Sequence, residues 1–170
     1  MSAIDDKYAA LGGSHGFLGS PFDAGAGSGE MDTRNRRGRV RDFQHGSIYW
    51  SAATGAHEVH GDIRVKWAQL RGTEGFLGFP TTDELGTPDG VGRFNHFEHG
   101  SIYWTPRTGA HEVHGAIRDK WASLGWERSW LHYPKSDEKP APGGARVSDF
   151  EGGVIVWTPS SGADARVRID

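Results

Sequence analysis

The chain has 170 residues, a formal net charge of −3 and no cysteine. The absence of cysteine excludes disulfides, zinc–thiolate sites and thiol catalysis, and the small negative charge gives no basic footprint for nucleic acid or an anionic membrane surface. No apolar run approaches the ~18 residues that predict a membrane-spanning helix, so we expect no transmembrane segment. The 26 glycines beside 7 tryptophans indicate short strands joined by tight turns.

Two sequence blocks each occur three times along the chain. The first occurs as FQHGSIYW at 43–50, FEHGSIYW at 97–104 and FEGGVIVW at 150–157. The second occurs as IDDKYAAL at 4–11, IRVKWAQL at 63–70 and IRDKWASL at 117–124. Self-similarity at a fixed period predicts tandem repeats, which we place at about 4–62, 63–116 and 117–170 within a single domain of residues 1–170. The first repeat is longer, by an insertion in the Gly-rich stretch 22–32.

Each repeat is predicted to begin with a short amphipathic helix. Apolar residues at i, i+4 and i+7 form one helix face. They are Ile4, Tyr8 and Leu11, then Ile63, Trp67 and Leu70, then Ile117, Trp121 and Leu124. The next segment is LGSP at 18–21, LGFP at 77–80 and LHYP at 131–134, in which proline favours a rigid extended turn.

Three predicted strands complete each repeat. The first spans 39–43, 93–97 or 146–150, and an HG or GG hairpin turn joins it to SIYW or VIVW. A TG or SG turn then leads to the third strand, which reads AHEVH in the first two repeats. The predicted fold class is therefore mainly β with short helices, in three tandem repeats of about 54 residues, each a short helix plus a three-stranded meander. Because one repeat cannot bury its own apolar face, neighbouring repeats are expected to stack.

The LGFP tetrapeptide at 77–80, the preceding Ile-x-x-Lys-Trp-x-x-Leu and the FEHGSIYW block together resemble the LGFP repeat family, over residues 4–170. The resemblance implies a non-catalytic module of the actinobacterial cell envelope that attaches to cell-wall polysaccharide. It also implies a propeller-like or pseudo-threefold radial arrangement, with one repeat per blade.

The chain departs from this family pattern in two ways. It carries three repeats, fewer than the four to eight blades of ordinary propellers, so the repeats close alone, stay an open arc or close with a second chain. The third repeat is eroded, with LHYP for LGFP and GADARV for GAHEVH. The family implies an extracellular or cell-wall location, but no signal peptide is recognisable here, which leaves a cytoplasmic location open.

Six histidines recur at equivalent positions of the first two repeats: His45, His57 and His60, then His99, His111 and His114. HEVH differs from the zinc-protease HExxH, because its histidines are three apart in a predicted strand and point to opposite faces. We therefore expect structural or surface histidines rather than a metal site, and no cofactor. No paired carboxylate recurs beside them, so we predict no catalytic residue and no enzyme activity.

Tyr49 and Tyr103 are the first candidate binding residues. They alternate with Trp50 and Trp104, which favour the core, and are therefore expected on the opposite strand face. An exposed aromatic ring beside hydrogen-bonding groups suits a sugar, whose apolar C–H face stacks on the ring. A solvent-facing or second-layer tyrosine is the alternative interpretation.

The remaining candidates for this carbohydrate site are His45, His99, Arg39, Arg93 and Trp126. The histidines lie in the hairpin turns near the tyrosines, and the arginines either clamp a ligand or donate to carbonyls of the adjoining Gly-rich turn. Trp126 stands where the other repeats have Gly13 and Gly72, which favours an exposed platform or a chain–chain contact. Asp83 and Asp137 are expected to cap the turn that follows them.

These observations predict a lectin-like module that binds arabinogalactan- or peptidoglycan-type wall polymers. The polysaccharide ligand is inferred from the family resemblance. The residues themselves predict only a repetitive, aromatic-rich binding scaffold. A protein-interaction or oligomerisation scaffold, with a homo-oligomer as its product, is the alternative. An enzyme whose site assembles between repeats is the third reading.

Overall fold

The computed structural model describes residues 1–22 and 29–168. Most of the insertion expected in the first repeat, residues 23–28, lies outside the described residues. The helices are α1 Ala3–Ala10, α2 Gly61–Gln69 and α3 Gly115–Leu124, each followed by a short 3-10 turn. No helix within the described ranges is long and apolar enough to cross a membrane.

Each repeat contributes one four-stranded antiparallel sheet with its strands in chain order. The strands of the first two sheets are β1 Met31–Asp32, β2 Gly38–Phe43, β3 Gly46–Ser51, β4 Gly55–His60, β5 Leu85–Gly86, β6 Arg93–Phe97, β7 Gly100–Thr105 and β8 Gly109–His114. The third sheet comprises β9 Lys139–Ala141, β10 Ala145–Phe150, β11 Gly153–Thr158 and β12 Gly162–Arg166. The predicted fold class is confirmed, with one addition. An edge strand of two or three residues precedes each meander, and it is too short to leave a periodic signal.

The chain forms two compact units. The first comprises Met1–Leu85 with Asn95–Glu98, and the second comprises Gly86–Phe94 with His99–Asp170. The expectation of a single domain over 1–170 stays a prediction, as does the radial arrangement of the repeats.

The LGFP motif is explained position by position. Its leucine is buried in all three repeats, as Leu18, Leu77 and Leu131. Its second residue has a left-handed backbone, with φ of 75° at Gly19, 73° at Gly78 and 57° at His132. The carbonyl of that residue accepts a hydrogen bond from the helix aromatic: Tyr8 Oη donates at 2.8 Å, Trp67 Nε1 at 3.1 Å and Trp121 Nε1 at 3.1 Å. The proline forms an isolated bridge with the phenylalanine that ends the first meander strand. The tetrapeptide therefore fixes the helix against its own sheet.

The third LGFP position joins consecutive repeats. Phe79 of the second repeat is buried against Gly38 of the first, where an added Cβ would lie 2.6 Å from the ring. Tyr133 of the third repeat has the same relation to Gly92, at 2.7 Å, and its hydroxyl donates to Asp89 at 2.7 Å. Glycine is required at both positions because the ring and a backbone carbonyl of a neighbouring strand, that of Trp50 or of Trp104, occupy the space of a Cβ. The second and third repeats thus each insert this aromatic side chain into the repeat before them, whereas the first repeat has Ser20 at the position.

Both faces of the first sheet are covered. Ile48 packs with Ile4 of α1 on one face, and Tyr49 meets Trp67 of α2 edge-on at 4.7 Å on the other. In the second unit Tyr103 meets Trp121 of α3 in the same way, at 4.7 Å. Strand alternation correctly predicted that the tyrosines point away from the neighbouring Ile and Trp side chains. The helix of the following repeat, however, covers the tyrosine face, which was expected to be exposed to solvent.

Candidate functional site

A pocket of about 780 Å³ opens in the first unit. Its wall comes from the edge strand, the meander, α2 and the turn after α2, and is formed by Met31, Asp32, Thr33, Arg34, Val40, Asp42, Tyr49, Arg64, Trp67, Ala68, Arg71, Gly72, Thr73 and Glu74. The volume lies within the ~300–1,000 Å³ of small-ligand sites. We call this feature the first-repeat pocket.

The first-repeat pocket has an aromatic and apolar wall. The Tyr49 and Trp67 rings meet at an interplanar angle of 89°, and Val40 lies beside them in the lining. The indole N–H of Trp67 is already bonded to the carbonyl of Gly78 at 3.1 Å. This bond fixes the indole, which is only 2% exposed. Trp67 therefore holds the partly exposed Tyr49 ring in place and does not itself face a ligand.

The rim of the first-repeat pocket carries three arginines and three carboxylates: Arg34, Arg64, Arg71, Asp32, Asp42 and Glu74. Ser47 connects two of them, since its hydroxyl donates to Asp42 at 2.6 Å and accepts from Arg64 Nε at 3.0 Å. Burial and the nearby Asp42 carboxylate raise the pKa of Tyr49, so its hydroxyl remains protonated at neutral pH. The rim therefore offers donors and acceptors in balance.

The backbone at the pocket edge is left-handed at two successive residues. Arg71 has φ of 75° and Gly72 has φ of 54°. A non-glycine residue in this region costs about 1–2 kcal/mol, and such strain is concentrated at functional sites. A Cβ on Gly72 would have Trp67 as its nearest neighbour, at 4.0 Å, so glycine adds no side chain to this part of the pocket wall.

The equivalent space in the second unit is filled by aromatic rings. Trp126 stands at the position of Gly72 and has φ of 58°. Its ring lies 5.3 Å from that of Trp121 and 6.0 Å from that of Tyr103. Phe94, at the position of Val40, stacks on Tyr103 at 4.9 Å and 10°. Trp126 is therefore a packing residue that is only partly exposed.

Of the predicted carbohydrate residues in the first repeat, the first-repeat pocket contains Tyr49 but neither His45 nor Arg39. His45 is exposed in the β2–β3 turn. Arg39 donates to Asp32 at 2.8 Å and to the carbonyl of Glu30 at 3.1 Å. The structural alternative for Arg39, a guanidinium that bonds the adjoining turn, is the one that the structure supports.

In the second repeat the predicted residues are separated. Tyr103 is only 3% exposed, so the prediction of an exposed ring there is wrong, because Trp121, Phe94 and Trp126 cover it. His99 and Arg93 are exposed. Sugar binding by these residues stays a prediction.

The histidines of HEVH lie in a hydrogen-bonded clasp between consecutive repeats. His60 contacts Glu58 Oε2 through Nδ1 at 2.7 Å and Glu84 Oε2 through Nε2 at 3.1 Å. These two hydrogen-bonded carboxylates raise the pKa of His60 to about 9, Glu58 more than Glu84. His114 has the same arrangement with Glu112 and Glu138, and its pKa is also raised.

Asp83 and Asp137 belong to the same clasps. Asp83 Oδ1 contacts His57 Nδ1 at 3.2 Å and accepts the N–H of Glu58 at 3.2 Å, and Asp137 repeats these contacts with the second HEVH. Burial opposes ionisation of Asp83, but hydrogen bonds from His57 and Lys7 hold its pKa at about 2. Their carboxylates bind the preceding repeat, and the predicted capping of the turn that follows them stays a prediction. Across the described residues no group of three or more acidic or histidine side chains is arranged to hold a metal ion.

Sequence reasoning missed a second set of exposed rings. Phe17, Phe76 and Trp130 precede the LGFP segment at equivalent positions and are 47%, 45% and 44% exposed. The signal was available as an aromatic residue directly before each Leu. Arg71 and Trp67 were missed as pocket residues because only the structure brings α2 against the first sheet.

The family comparison agrees with this architecture. The LGFP repeat profile matches residues 27–75, 77–129 and 131–167. The chain belongs to the LGFP repeat family. It is thus a module of three LGFP repeats, of a kind commonly associated with the cell wall. Comparison with curated proteins gives no match.

Proposed function

We propose that this LGFP protein is a non-catalytic module that binds a neutral cell-wall polysaccharide in the first-repeat pocket. The observation that supports this most directly is the pairing of the partly exposed Tyr49 ring, held edge-on by the buried Trp67, with a charged rim around a cavity of about 780 Å³. An aromatic wall takes the C–H face of a sugar ring, and polar groups at the edge take its hydroxyls.

The balance of charges on the rim favours a neutral polyol over an anion. Arg34 and Arg71 donate hydrogen bonds, whereas Asp32 and Glu74 only accept them. A sugar hydroxyl donates and accepts at once, so it satisfies both kinds of group. An anionic polymer would meet three carboxylates on the same rim, which disfavours it.

Co-sedimentation with wall fractions tests the proposal. The fractions are intact arabinogalactan–peptidoglycan, the same material stripped of arabinogalactan, and bare peptidoglycan. We expect Tyr49→Ala and Arg71→Ala to lose retention on the fraction that the wild type binds. His45→Ala is the matched control, because His45 is exposed outside the pocket. Retention on no fraction, or equal retention of all variants, contradicts the proposal.

A protein-interaction scaffold is the second candidate. The three equivalent rings of Phe17, Phe76 and Trp130 favour it, because exposed aromatic side chains are enriched in protein interfaces. Light scattering after size exclusion separates the two candidates. A concentration-dependent oligomer that Phe76→Ser disrupts, together with indifference to every wall fraction, would select the scaffold.

An extracellular, wall-bound location belongs to the same proposal. The family supports it through the common cell-wall association of LGFP repeats. Fractionation of the source cells, followed by immunodetection in wall and cytoplasm, tests the location independently of the ligand.

A further inference from the structure

We infer that Trp126 is an internal plug that closes the second repeat's copy of the sugar site, so that the first two repeats together hold one open site. The inference rests on the proposed function for the identity of the ligand. It also makes Trp126 a guide to the place of the ligand ring in the first-repeat pocket.

The frame beneath the plug is the same in both repeats. In the first, Arg64 Nε donates to Ser47 at 3.0 Å, and Tyr49 meets Trp67 at 4.7 Å and 89°. In the second, Arg118 Nε donates to Ser101 at 2.9 Å, and Tyr103 meets Trp121 at 4.7 Å and 78°. Both repeats therefore build the aromatic corner and its arginine, and they differ in what stands in front of the corner.

The plug occupies the position of a ligand ring. The Trp126 ring lies at 26° to the Tyr103 ring. The guanidinium carbon of Arg118 lies 5.0 Å from the centroid of the Trp126 ring. A flat ring thus lies against the tyrosine and under the arginine. A sugar ring at the same place in the first repeat would lie against Tyr49, with Arg64 positioned for its hydroxyls.

The left-handed backbone carries either glycine or tryptophan at this position, beside the Val40 to Phe94 difference that also fills the second repeat. Gly72 and Trp126 have nearly the same φ, 54° and 58°, and Gly13 in the first repeat also has 58°. The chain path in front of the corner is therefore the same with or without the indole. Exchanging glycine and tryptophan at this position changes the occupant of the site and leaves the backbone conformation in place.

Calorimetric titration with a soluble arabinogalactan or peptidoglycan oligosaccharide, chosen by co-sedimentation, tests the inference. We expect one site in the wild type and two sites in Trp126→Gly. Gly72→Trp should lose at least 50-fold in affinity, so that its titration detects no site. The double exchange Gly72→Trp/Trp126→Gly should restore one site. A stoichiometry of one in a folded Trp126→Gly protein, or unchanged affinity in a folded Gly72→Trp protein, overturns the inference.

A second readout needs no sugar. Indole has the shape of the deleted side chain, so it should bind Trp126→Gly and not the wild type at the second repeat. Nitration followed by mass spectrometry should modify Tyr49 and spare Tyr103 in the wild type, and modify both in Trp126→Gly. If no oligosaccharide binds the wild type, the proposed function fails while these results still decide the plug. A protected Tyr103 in a folded Trp126→Gly protein contradicts the plug, and near-UV circular dichroism establishes which variants are folded.

Discussion

Glu58 accepts a hydrogen bond from the backbone N–H of Glu84 at 2.7 Å. The first residue lies in the last meander strand of one repeat, β4, and the second follows the LGFP segment of the next. Glu58 is 1% exposed, and its other carboxylate oxygen contacts His60 at 2.7 Å. One oxygen of this buried carboxylate therefore binds the neighbouring repeat directly. The other contacts His60 of the same repeat, whose Nε2 in turn contacts Glu84 Oε2 at 3.1 Å.

We predict that Glu58→Ala destabilises the first unit by about 3–5 kcal/mol, the usual cost of removing one partner from a buried ion pair. Glu58→Gln keeps the acceptor for the N–H of Glu84 and most of the volume, so its loss should be clearly smaller. Urea unfolding of both variants measures the difference. Equal losses in the two variants would mean that the charge, and not the acceptor for Glu84, carries the contact.

Stability should fall between neutral and alkaline pH because of His60. Its pKa is about 9 in the folded protein and about 6.5 in an unfolded chain. A group whose pKa is raised by folding stabilises the protein fully below pH 6.5, and this contribution is lost as the pH rises through about 9. The shift corresponds to at most about 3–4 kcal/mol, and to about 1–2 kcal/mol after screening of a partly exposed ring.

Thermal unfolding at pH 6, 7.5 and 9 measures this effect. The wild type should lose stability over that range, and His60→Gln should have a flatter profile with lower stability at pH 6. His45→Gln, which changes an exposed histidine outside the clasp, should follow the wild type. A wild-type profile that rises with pH would contradict the prediction.

The repeat pattern was sufficient to predict the helices, the meanders and the family. Ile63 and Trp67 predict α2 because a helix has one buried face, and the HG dipeptides predict the hairpin turns. The clasp was not predictable, since Glu58 and Glu84 are 26 positions apart and meet only when two repeats stack. Local sequence signals thus predict the secondary structure of each repeat, whereas the contacts between repeats are seen only in the structure.

The candidate site shows the same limit. Tyr49 was predicted from alternation and does line the pocket. Tyr103 carries the identical local sequence but is buried, because Trp126 and Phe94 replace the smaller residues of the first repeat. Those replacements lie 23 positions after and 9 before Tyr103, so no local pattern could connect them with it.

Alanine at Tyr103 should therefore mainly reduce stability, whereas alanine at Tyr49 should mainly reduce binding. Tyr103→Ala removes a buried ring from the core of the second unit and should cost about 3–5 kcal/mol. Tyr49→Ala removes a partly exposed ring and should cost about 1–2 kcal/mol, while it abolishes retention on the wall fraction. Urea midpoints and co-sedimentation of the same two preparations give both quantities. Equal stability losses would contradict the burial difference on which the assignment of the open site depends.

Replacing Arg71 by glycine should raise the stability of the protein and weaken its binding of sugar. Its backbone is left-handed, so Arg71→Gly relieves strain and is expected to stabilise the protein by about 0.5–1 kcal/mol after the added freedom of the unfolded chain is counted. The same change removes a donor from the pocket rim and should weaken sugar binding by about tenfold, the loss of one charge-assisted hydrogen bond. Arg36→Gly is the matched control, because Arg36 has φ of 56° and lies outside the pocket lining. It should gain similar stability and keep full affinity. If both variants bind like the wild type, the strained arginine is not held there for the ligand.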